Sequence, residues 1–191
     1  MSTERDTLIR LLAERSVRRG KFTLASGRES TYYVDARLTS MSPEGLATIG
    51  PLALAAIRER GWKVDAVGGL TLGADPISYS IALASVASPP LVRAFTVRKE
   101  AKQHGTGRLI EGPMVEGDQV VVVEDVITTG GSAQRAIEAI QRAGGTISGI
   151  IALVDREEGG RGVLEAQGVQ VTCLSTVSEL LDLAPGNTSS K

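Results

Sequence analysis

The segment VVVVEDVITTGGS, residues 120–132, carries the strongest structural signal in this chain. Four consecutive valines are typical of a strand that is buried on both faces of a parallel sheet. Two carboxylates, Glu124 and Asp125, follow them, and a loop of hydroxyl residues and glycines leads into the helical pattern of residues 133–140. This arrangement places a ligand at the carboxyl end of the strand, where loop amides and a helix N-terminus attract an anion.

The loop after the valines has the composition of a phosphate site. Gly130 and Gly131 permit positive φ and let a phosphate approach the backbone amides. Thr128, Thr129 and Ser132 add hydroxyl donors around the same anion. The segment is neither a Walker loop nor a GxGxxG dinucleotide turn. The alternative is an ordinary strand that enters a helix through capping residues.

The acidic pair suits a different part of the same ligand. Glu124 and Asp125 repel phosphate, but their oxygens accept hydrogen bonds from sugar hydroxyls. An acidic pair beside a phosphate loop therefore indicates a ribose 5-phosphate.

Composition limits the class of protein. The 191 residues suffice for one well-packed domain, and 42% hydrophobic with 23% charged residues is ordinary globular usage. A formal net charge of -1 argues against a nucleic-acid partner, which would need a basic face. No apolar run reaches about 18 residues, so no membrane partner is expected. The one cysteine, Cys173, lies in an apolar run that predicts a buried strand, and it agrees with a cytoplasmic location.

Helical and extended patterns alternate along the chain and predict an α/β fold, a parallel twisted sheet flanked by helices. One domain spans residues 1–191, with a frayed tail at 184–191. The first helix is expected to run to Arg18 and to stop at Gly20, and a later helix is expected to start at Ser42. The predicted helices are residues 7–18, 42–60, 75–85, 133–140 and 177–183. The predicted strands are residues 64–67, 91–97, 120–123, 146–154 and 169–174, with short strands between 22 and 38 around a turn at 26–27.

The acidic pair and its loop resemble the PRPP-binding motif of type I phosphoribosyltransferases. Three further segments resemble one branch, the orotate phosphoribosyltransferases: residues 97–107 its mobile catalytic loop, residues 22–35 its N-terminal segment, and residues 153–156 the strand end before its orotate site. The matches keep the family order from about residue 20 to 161, so the resemblance covers most of the chain.

The resemblance implies a reaction: orotate and PRPP give orotidine 5′-monophosphate and pyrophosphate, a step of UMP biosynthesis. It implies that the acidic pair holds the ribose hydroxyls, that the loop holds the 5-phosphate, and that Mg²⁺ is bound through PRPP without direct protein ligands. Lys102 and His104 would be catalytic, meeting the charge that develops on pyrophosphate. The PRPP-binding residues so implied are Arg98, Lys99, Lys102, His104, Glu124, Asp125, Val126, Ile127, Thr128, Thr129, Gly130, Gly131 and Ser132.

The resemblance also assigns the other substrate groups. Orotate would contact Thr128, Arg156, Tyr33 and Val34, the arginine binding its carboxylate. An N-terminal hood formed mainly by about residues 1–40 would cover the base. The mobile loop would reach into the neighbouring subunit, which implies a homodimer with shared active sites.

Residues 68–76 follow a predicted strand and open a helix, as the family's pyrophosphate loop does. Thr71 and Leu72 would be its contact residues. Many relatives carry lysine where this chain has Leu72 and Ala25, so it departs from the family at both positions.

Two other functions fit part of the same pattern. A phosphoribosyltransferase for another base would keep the PRPP motif, although residues 97–107 and Arg156 favour orotate. A non-catalytic PRPP-sensing regulator on the same fold would keep it too, and Ala25 and Leu72 are its support.

Overall fold

A computed structural model describes residues 2–23, 27, 29–100 and 109–184. Strands and helices alternate along these residues, as the sequence predicts. The strands are β1 (Val17–Thr23), β2 (Glu29–Val34), β3 (Ala66–Leu70), β4 (Arg93–Val97), β5 (Ile110–Glu111), β6 (Gln119–Ile127), β7 (Thr146–Asp155) and β8 (Val171–Thr176). The helices are α1 (Ser2–Arg15), α2 (Arg37–Ser40), α3 (Pro43–Glu59), α4 (Ala74–Ala87), α5 (Gly131–Arg142), α6 (Gly160–Ala166) and α7 (Val177–Leu183).

The main sheet has six strands in the order β5-β4-β3-β6-β7-β8. All neighbours are parallel except the short edge strand β5, which pairs antiparallel with β4. The predicted α/β fold with a parallel sheet is therefore confirmed. The chain adds β4 on one side of β3 and continues with β6 on the other, so the strand order reverses between β3 and β6. Parallel sheets bind ligands at such a reversal, beyond the carboxyl ends of the strands.

Strand β6 lies at the centre of the molecule, as its valines predict. Val121 and Val123 belong to the core on one face of the sheet, together with residues of α1, α3 and α7. Val120 and Val122 belong to the core on the other face, under α5. All four side chains are completely buried, which explains why the run does not alternate with polar residues.

The N-terminal region forms a helix and a separate hairpin of β1 and β2. The predicted helix to Arg18 with a stop at Gly20 is wrong, because α1 ends at Arg15 and both residues lie in β1. Val17 pairs with Val34 across the hairpin, and burial of these two β-branched residues overrides the helical spacing. The division into a hood and a tail stays a prediction.

Several other boundaries also differ from the sequence prediction. Strand β3 starts at Ala66 and continues through Gly68, Gly69 and Leu70, all three of which we expected in a loop. A side chain at Gly69 would lie 1.9 Å from the Val123 carbonyl oxygen, so glycine permits the close pairing of β3 and β6. Elements α2, β5 and α6 were not predicted, since they are short or rich in glycine.

The other predicted helices and strands are present, although some bounds differ: α1 starts at Ser2 rather than at residue 7, and β8 spans Val171–Thr176 rather than residues 169–174. Ser42 caps α3, its hydroxyl oxygen accepting a hydrogen bond from the Gly45 amide at 3.1 Å, and Gly61 ends the helix region with φ 68°. Cys173 lies in β8, half-buried rather than buried. Within the described ranges, no helix has both the length and the apolar content that a membrane span requires.

Gly50 sits where α3 packs tightly against α4. A Cβ there would lie 2.3 Å from the carbonyl oxygen of Ser80 in α4. Pro51 follows within α3, which continues without interruption to Glu59.

Gly50→Ala should lower the free energy of unfolding by about 1–3 kcal/mol, because the two helices must separate to admit the methyl group. Urea denaturation of the variant and the wild type measures the difference. Gly162→Ala is the matched control, because nothing lies within 4 Å of a Cβ at that position in α6. An equal effect of the two substitutions would contradict the close packing of α3 on α4.

Candidate active site

A cleft of about 300 Å³ opens at the carboxyl ends of the parallel strands, where the strand order reverses between β3 and β6. The loop after β3 forms one wall, and the end of β6 with the first turn of α5 forms the opposite wall. Arg156, directly after β7, and residues 33–37, at the end of β2, close the remaining sides. Sequence-distant segments therefore meet at the place that the fold favours for a ligand.

The acidic pair lies in this cleft, within β6, which continues beyond the predicted strand end at residue 123. Glu124 is 6% exposed, and its Oε2 atom has no hydrogen-bond partner among the residues that the structure describes. Burial raises the pKa of Glu124 well above its ordinary value, and the neighbouring charge of Asp125 raises it further. A buried acceptor without a donor is ready to bind a ligand hydroxyl.

Asp125 is half-buried and faces the loop after β3. Burial raises its pKa, while a hydrogen bond from the Val126 amide at 2.9 Å and the charge of Arg37 oppose the rise. A side chain at Gly73 would come within 2.3 Å of the Asp125 carboxylate. The bare backbone of Gly73 thus leaves room for the carboxylate at the floor of the cleft.

A smaller recess of about 70 Å³ is enclosed by residues 126–132 and Glu124. Gly130 has φ 83° and precedes the first turn of α5, as predicted. The expected positive φ of Gly131 is wrong, since Gly131 is the first residue of α5. Gly160 supports the loop from behind, because a side chain there would lie 2.5 Å from the Thr128 carbonyl oxygen. The recess has the hydroxyls and the helix N-terminus that an anion requires.

Arg156 provides a buried cation on the far side of the cleft. It is 8% exposed, and its guanidinium carbon lies 5.1 Å from the centre of the Tyr32 ring. Its Nη2 atom is 2.9 Å from Glu158 Oε1, an ion pair without hydrogen-bond geometry. Among the described residues, its Nε atom has no hydrogen-bond partner. Arg156 therefore retains donors for an acidic ligand group.

Other cations surround the acidic pair. Arg37 donates hydrogen bonds to Asp35 at 2.8 and 2.9 Å, which lower the pKa of that carboxyl group. Lys99 and Arg135 also line the cleft, and the charge of Arg135 partly opposes the raised pKa of Glu124. The cleft is polar and carries both signs of charge, as a ligand with hydroxyl and phosphate groups requires.

Comparison with known proteins agrees with this geometry. Residues 41–175 match the family model described as phosphoribosyl transferase domain. The chain is 45% identical over 181 residues to an orotate phosphoribosyltransferase of Aquifex aeolicus (strain VF5), covering 93% of this chain and 98% of that protein. The chain belongs to the orotate phosphoribosyltransferase family. It is likewise 43% identical over 181 residues to a member from Pyrococcus furiosus, with 94% and 97% covered.

Solved structures of the family superpose closely on this chain. Orotate phosphoribosyltransferase of Mycobacterium tuberculosis H37Rv, in complex with Fe(III) dicitrate, has a TM-score of 0.82 and 42% identity, covering 93% of this chain and 98% of that one. Its complex with PRPP has a TM-score of 0.78, 38% identity and the same coverage. An adenine phosphoribosyltransferase of Rhodothermus marinus, at 21% identity and TM-score 0.61, shares the fold.

The structure brings most of the site residues expected from family resemblance into the cleft. The cleft is lined by Tyr33, Val34, Thr71, Leu72, Lys99, Glu124, Asp125, Val126, Thr128, Ser132 and Arg156. Thr129, Gly130 and Gly131 line the phosphate-sized recess. The side chain of Ile127 is buried in the core, so only its backbone faces the recess.

Arg98 does not join these residues in the cleft. Arg98 Nη1 lies 3.6 Å from Glu111 Oε1 on β5, and the side chain does not line the cleft. Lys102 and His104 lie outside the described residues, and so do Ala25 and the tail from residue 185 onward. Their roles in this orotate phosphoribosyltransferase stay predictions.

Sequence reasoning missed several residues around the cleft. Gly73 and Gly160 matter because a neighbouring group occupies the space of a side chain, which no sequence pattern reveals. Arg135 lies on the exposed face of α5, where an arginine is ordinary. The sequence Asp35-Ala36-Arg37 offered a signal, an ion pair at the end of the matched N-terminal segment.

Glu124→Gln should remove a pH-dependent loss of stability. Because the folded-state pKa of Glu124 is raised, the folded protein binds more protons than the unfolded chain at pH values between 4.5 and the raised pKa. The free energy of unfolding of the wild type therefore falls as the pH rises through that window. The glutamine variant should lack this part of the fall.

Urea denaturation of both proteins without ligand, at several pH values upward from 4.5, measures the effect. The difference in unfolding free energy between variant and wild type should grow in favour of the variant as the pH rises. Glu14→Gln, which removes one exposed carboxylate from α1, is the charge-matched control. Parallel pH curves for wild type and Glu124→Gln would contradict the burial penalty.

Proposed function

We propose that this chain transfers the phosphoribosyl group of PRPP to orotate, with the cleft between β3 and β6 as its active site. The bond from the ribose C1 atom to pyrophosphate breaks, and a bond from C1 to a ring nitrogen of orotate forms. The observation that carries the proposal is the meeting of three features in one cleft: the acidic pair with its unpartnered Glu124 Oε2 atom, the anion recess at α5, and buried Arg156.

The ribose phosphate of PRPP fits the recess and the acidic pair. The 5-phosphate would accept hydrogen bonds from the loop amides and from the hydroxyls of Thr128, Thr129 and Ser132. The ribose hydroxyls would donate to Glu124 and Asp125. These hydrogen bonds favour the ionised carboxylates, and so they offset the burial that raises both pKa values.

The departing pyrophosphate would lie on the other wall of the cleft, against Thr71, Leu72 and Gly73, with Lys99 nearby. Lys102 and His104 of the segment after β4 would meet the charge that develops as the bond to C1 breaks. Closure of that segment would also exclude water, which protects PRPP from hydrolysis.

Magnesium is the proposed cofactor, bound through PRPP oxygens and water. Among the described residues no group of three or more histidine, cysteine, aspartate or glutamate side chains forms a metal site. The lining of the cleft is compatible with a magnesium ion that keeps substrate and water ligands. Beside the ribose, the Glu124 and Asp125 oxygens can accept hydrogen bonds from such ligands. Bound in this way, the ion would lower the negative charge of the pyrophosphate group.

Orotate would bind with its carboxylate on Arg156 and its ring beneath the end of β2. The unpaired Nε atom and the neighbouring Nη2 atom suit a carboxylate that accepts two parallel hydrogen bonds. Tyr33 and Val34 line the cleft at that side, and Thr128 faces it from the loop. Purine bases lack this carboxylate, so a buried arginine favours orotate.

The loss of orotate absorbance with PRPP and magnesium tests the reaction. The wild type should consume orotate, and EDTA should prevent it. Arg156→Gln should raise the KM for orotate about tenfold or more, since a charged hydrogen-bond partner is lost, with little change in PRPP affinity. If PRPP binds by calorimetry but orotate is not consumed, the chain acts on another base or senses PRPP.

We further propose that the enzyme is a cytoplasmic homodimer and that α4 contributes to the interface. Tyr79, Leu83 and Val86 project from one face of α4 at helical spacing and are 52%, 74% and 66% exposed. Exposed apolar side chains in a continuous row are typical of a surface that another molecule covers. A second copy of this chain is the proposed occupant, because the segment that follows β4 would have to reach a neighbouring active site.

Leu83→Glu should convert the dimer to a monomer and reduce turnover, since it places a charge at the centre of the apolar row. Light scattering after size-exclusion chromatography measures the mass. Val163→Glu, which changes a half-exposed apolar residue of α6, is the matched control and should remain dimeric. A monomeric wild type, or a Leu83→Glu dimer, would refute this interface.

A further inference from the structure

One carboxylate outside the acidic pair connects three elements beside the cleft. Asp75 lies in the first turn of α4. Its Oδ2 atom is 2.6 Å from the Thr71 hydroxyl, on the loop that lines the cleft. Its Oδ1 atom is 2.9 Å from the Thr96 hydroxyl, on β4. Asp75 thus joins the loop after β3 to the neighbouring strand.

The directions of these hydrogen bonds follow from the chemistry of the groups. An ionised carboxylate only accepts, so both threonine hydroxyls must donate their single proton to Asp75. Tyr79 OH lies 2.8 Å from the Thr96 hydroxyl, and therefore it must donate to that oxygen. The chain of donors runs from Tyr79 to Thr96 to Asp75, with Thr71 donating from the other side.

The backbone holds the same loop at two more points. The Thr71 amide donates to the Val97 carbonyl oxygen at 2.8 Å, and the Asp75 amide donates to the Leu72 carbonyl oxygen at 3.3 Å. The Thr71 hydroxyl donates its only proton to Asp75. Toward other neighbours it can therefore act only as a hydrogen-bond acceptor. An anion at this wall would then depend on the amides between Thr71 and Asp75, in a segment that these hydrogen bonds hold at both ends.

We propose that Asp75 is the positioning residue for the diphosphate end of PRPP. It sets the orientation of residues 71–73 from behind and makes no contact with the substrate itself. Through Thr96 it also fixes β4 two residues before Arg98 and three before Lys99. This inference rests on the proposed function, since it assumes that the diphosphate lies against the loop after β3.

Asp75→Ala and Thr96→Val test the proposal in the full-length protein. Steady-state kinetics give kcat and the two KM values, and calorimetry gives the Kd of pyrophosphate. Asp75→Ala should raise the KM for PRPP and the Kd of pyrophosphate about tenfold or more, because two charge-assisted hydrogen bonds are lost. The KM for orotate should stay within about twofold, as Arg156 is untouched.

Thr96→Val keeps the β-branched shape in β4, and it removes one donor to Asp75 together with the acceptor of the Tyr79 hydroxyl. It should shift the same two constants in the same direction by a smaller factor, and it carries the test if Asp75→Ala does not fold. Ser78→Ala is the matched control, because this buried α4 hydroxyl donates to the Ala74 carbonyl oxygen and not to Asp75. Its constants should equal those of the wild type.

Unchanged pyrophosphate affinity in both variants would overturn the proposal. So would an equal loss of affinity for orotate and pyrophosphate with a lowered Tm, which would mark a purely structural role. Failure of the proposed function is distinguishable, since a wild type that consumes no orotate can still be titrated with pyrophosphate. A wild type that binds no pyrophosphate would also overturn the role of Asp75.

Discussion

The burial of Glu124, next to the half-buried Asp125 at the end of β6, is the constraint on which the site depends. Glu124 and Asp125 are placed there by a strand whose valines are buried on both faces, and the strand leaves Glu124 an acceptor without a donor among the described residues. Within the part of the folded chain that the structure describes, no hydrogen-bond donor offsets the free-energy cost of burying this acceptor. An anionic ligand with several hydroxyl groups offsets the cost by donating hydrogen bonds to it. The protein therefore gives up stability in the free state to gain complementarity to its sugar substrate.

The sheet order makes the remaining groups available to the same ligand. Strand β4 is added on one side of β3 and strand β6 on the other. The loops that follow β3 and β6 therefore diverge and leave a crevice. Gly69 and Gly73 keep the two sides close enough to share one ligand, the first by admitting the carbonyl of Val123 and the second by admitting Asp125. The proposed phosphate recess and the proposed diphosphate wall lie side by side and suit a ribose that carries a 5-phosphate and a 1-diphosphate.

The sequence predicted the centre of this arrangement better than its periphery. The valine run and the helix cap at Ser42 depend on local patterns, and the structure confirms both. Val17 was misassigned because its pairing with Val34 involves a residue seventeen positions away. Gly73, Gly160 and the partners of Asp75 could not be predicted, since their importance arises from contacts between segments that meet only after folding.

Tyr79 belongs to two features at once. Its ring is part of the exposed apolar row on α4, and its hydroxyl begins the hydrogen-bond chain that ends at the loop of the cleft. The outer surface of α4 is therefore connected to the active site by a short path of covalent bonds and hydrogen bonds. A molecule that covers this row would restrict the tyrosine, and the restriction would reach Thr71 through only two intermediate side chains. The exposed face of α4 and the loop of the cleft therefore depend on the same side chain, that of Tyr79.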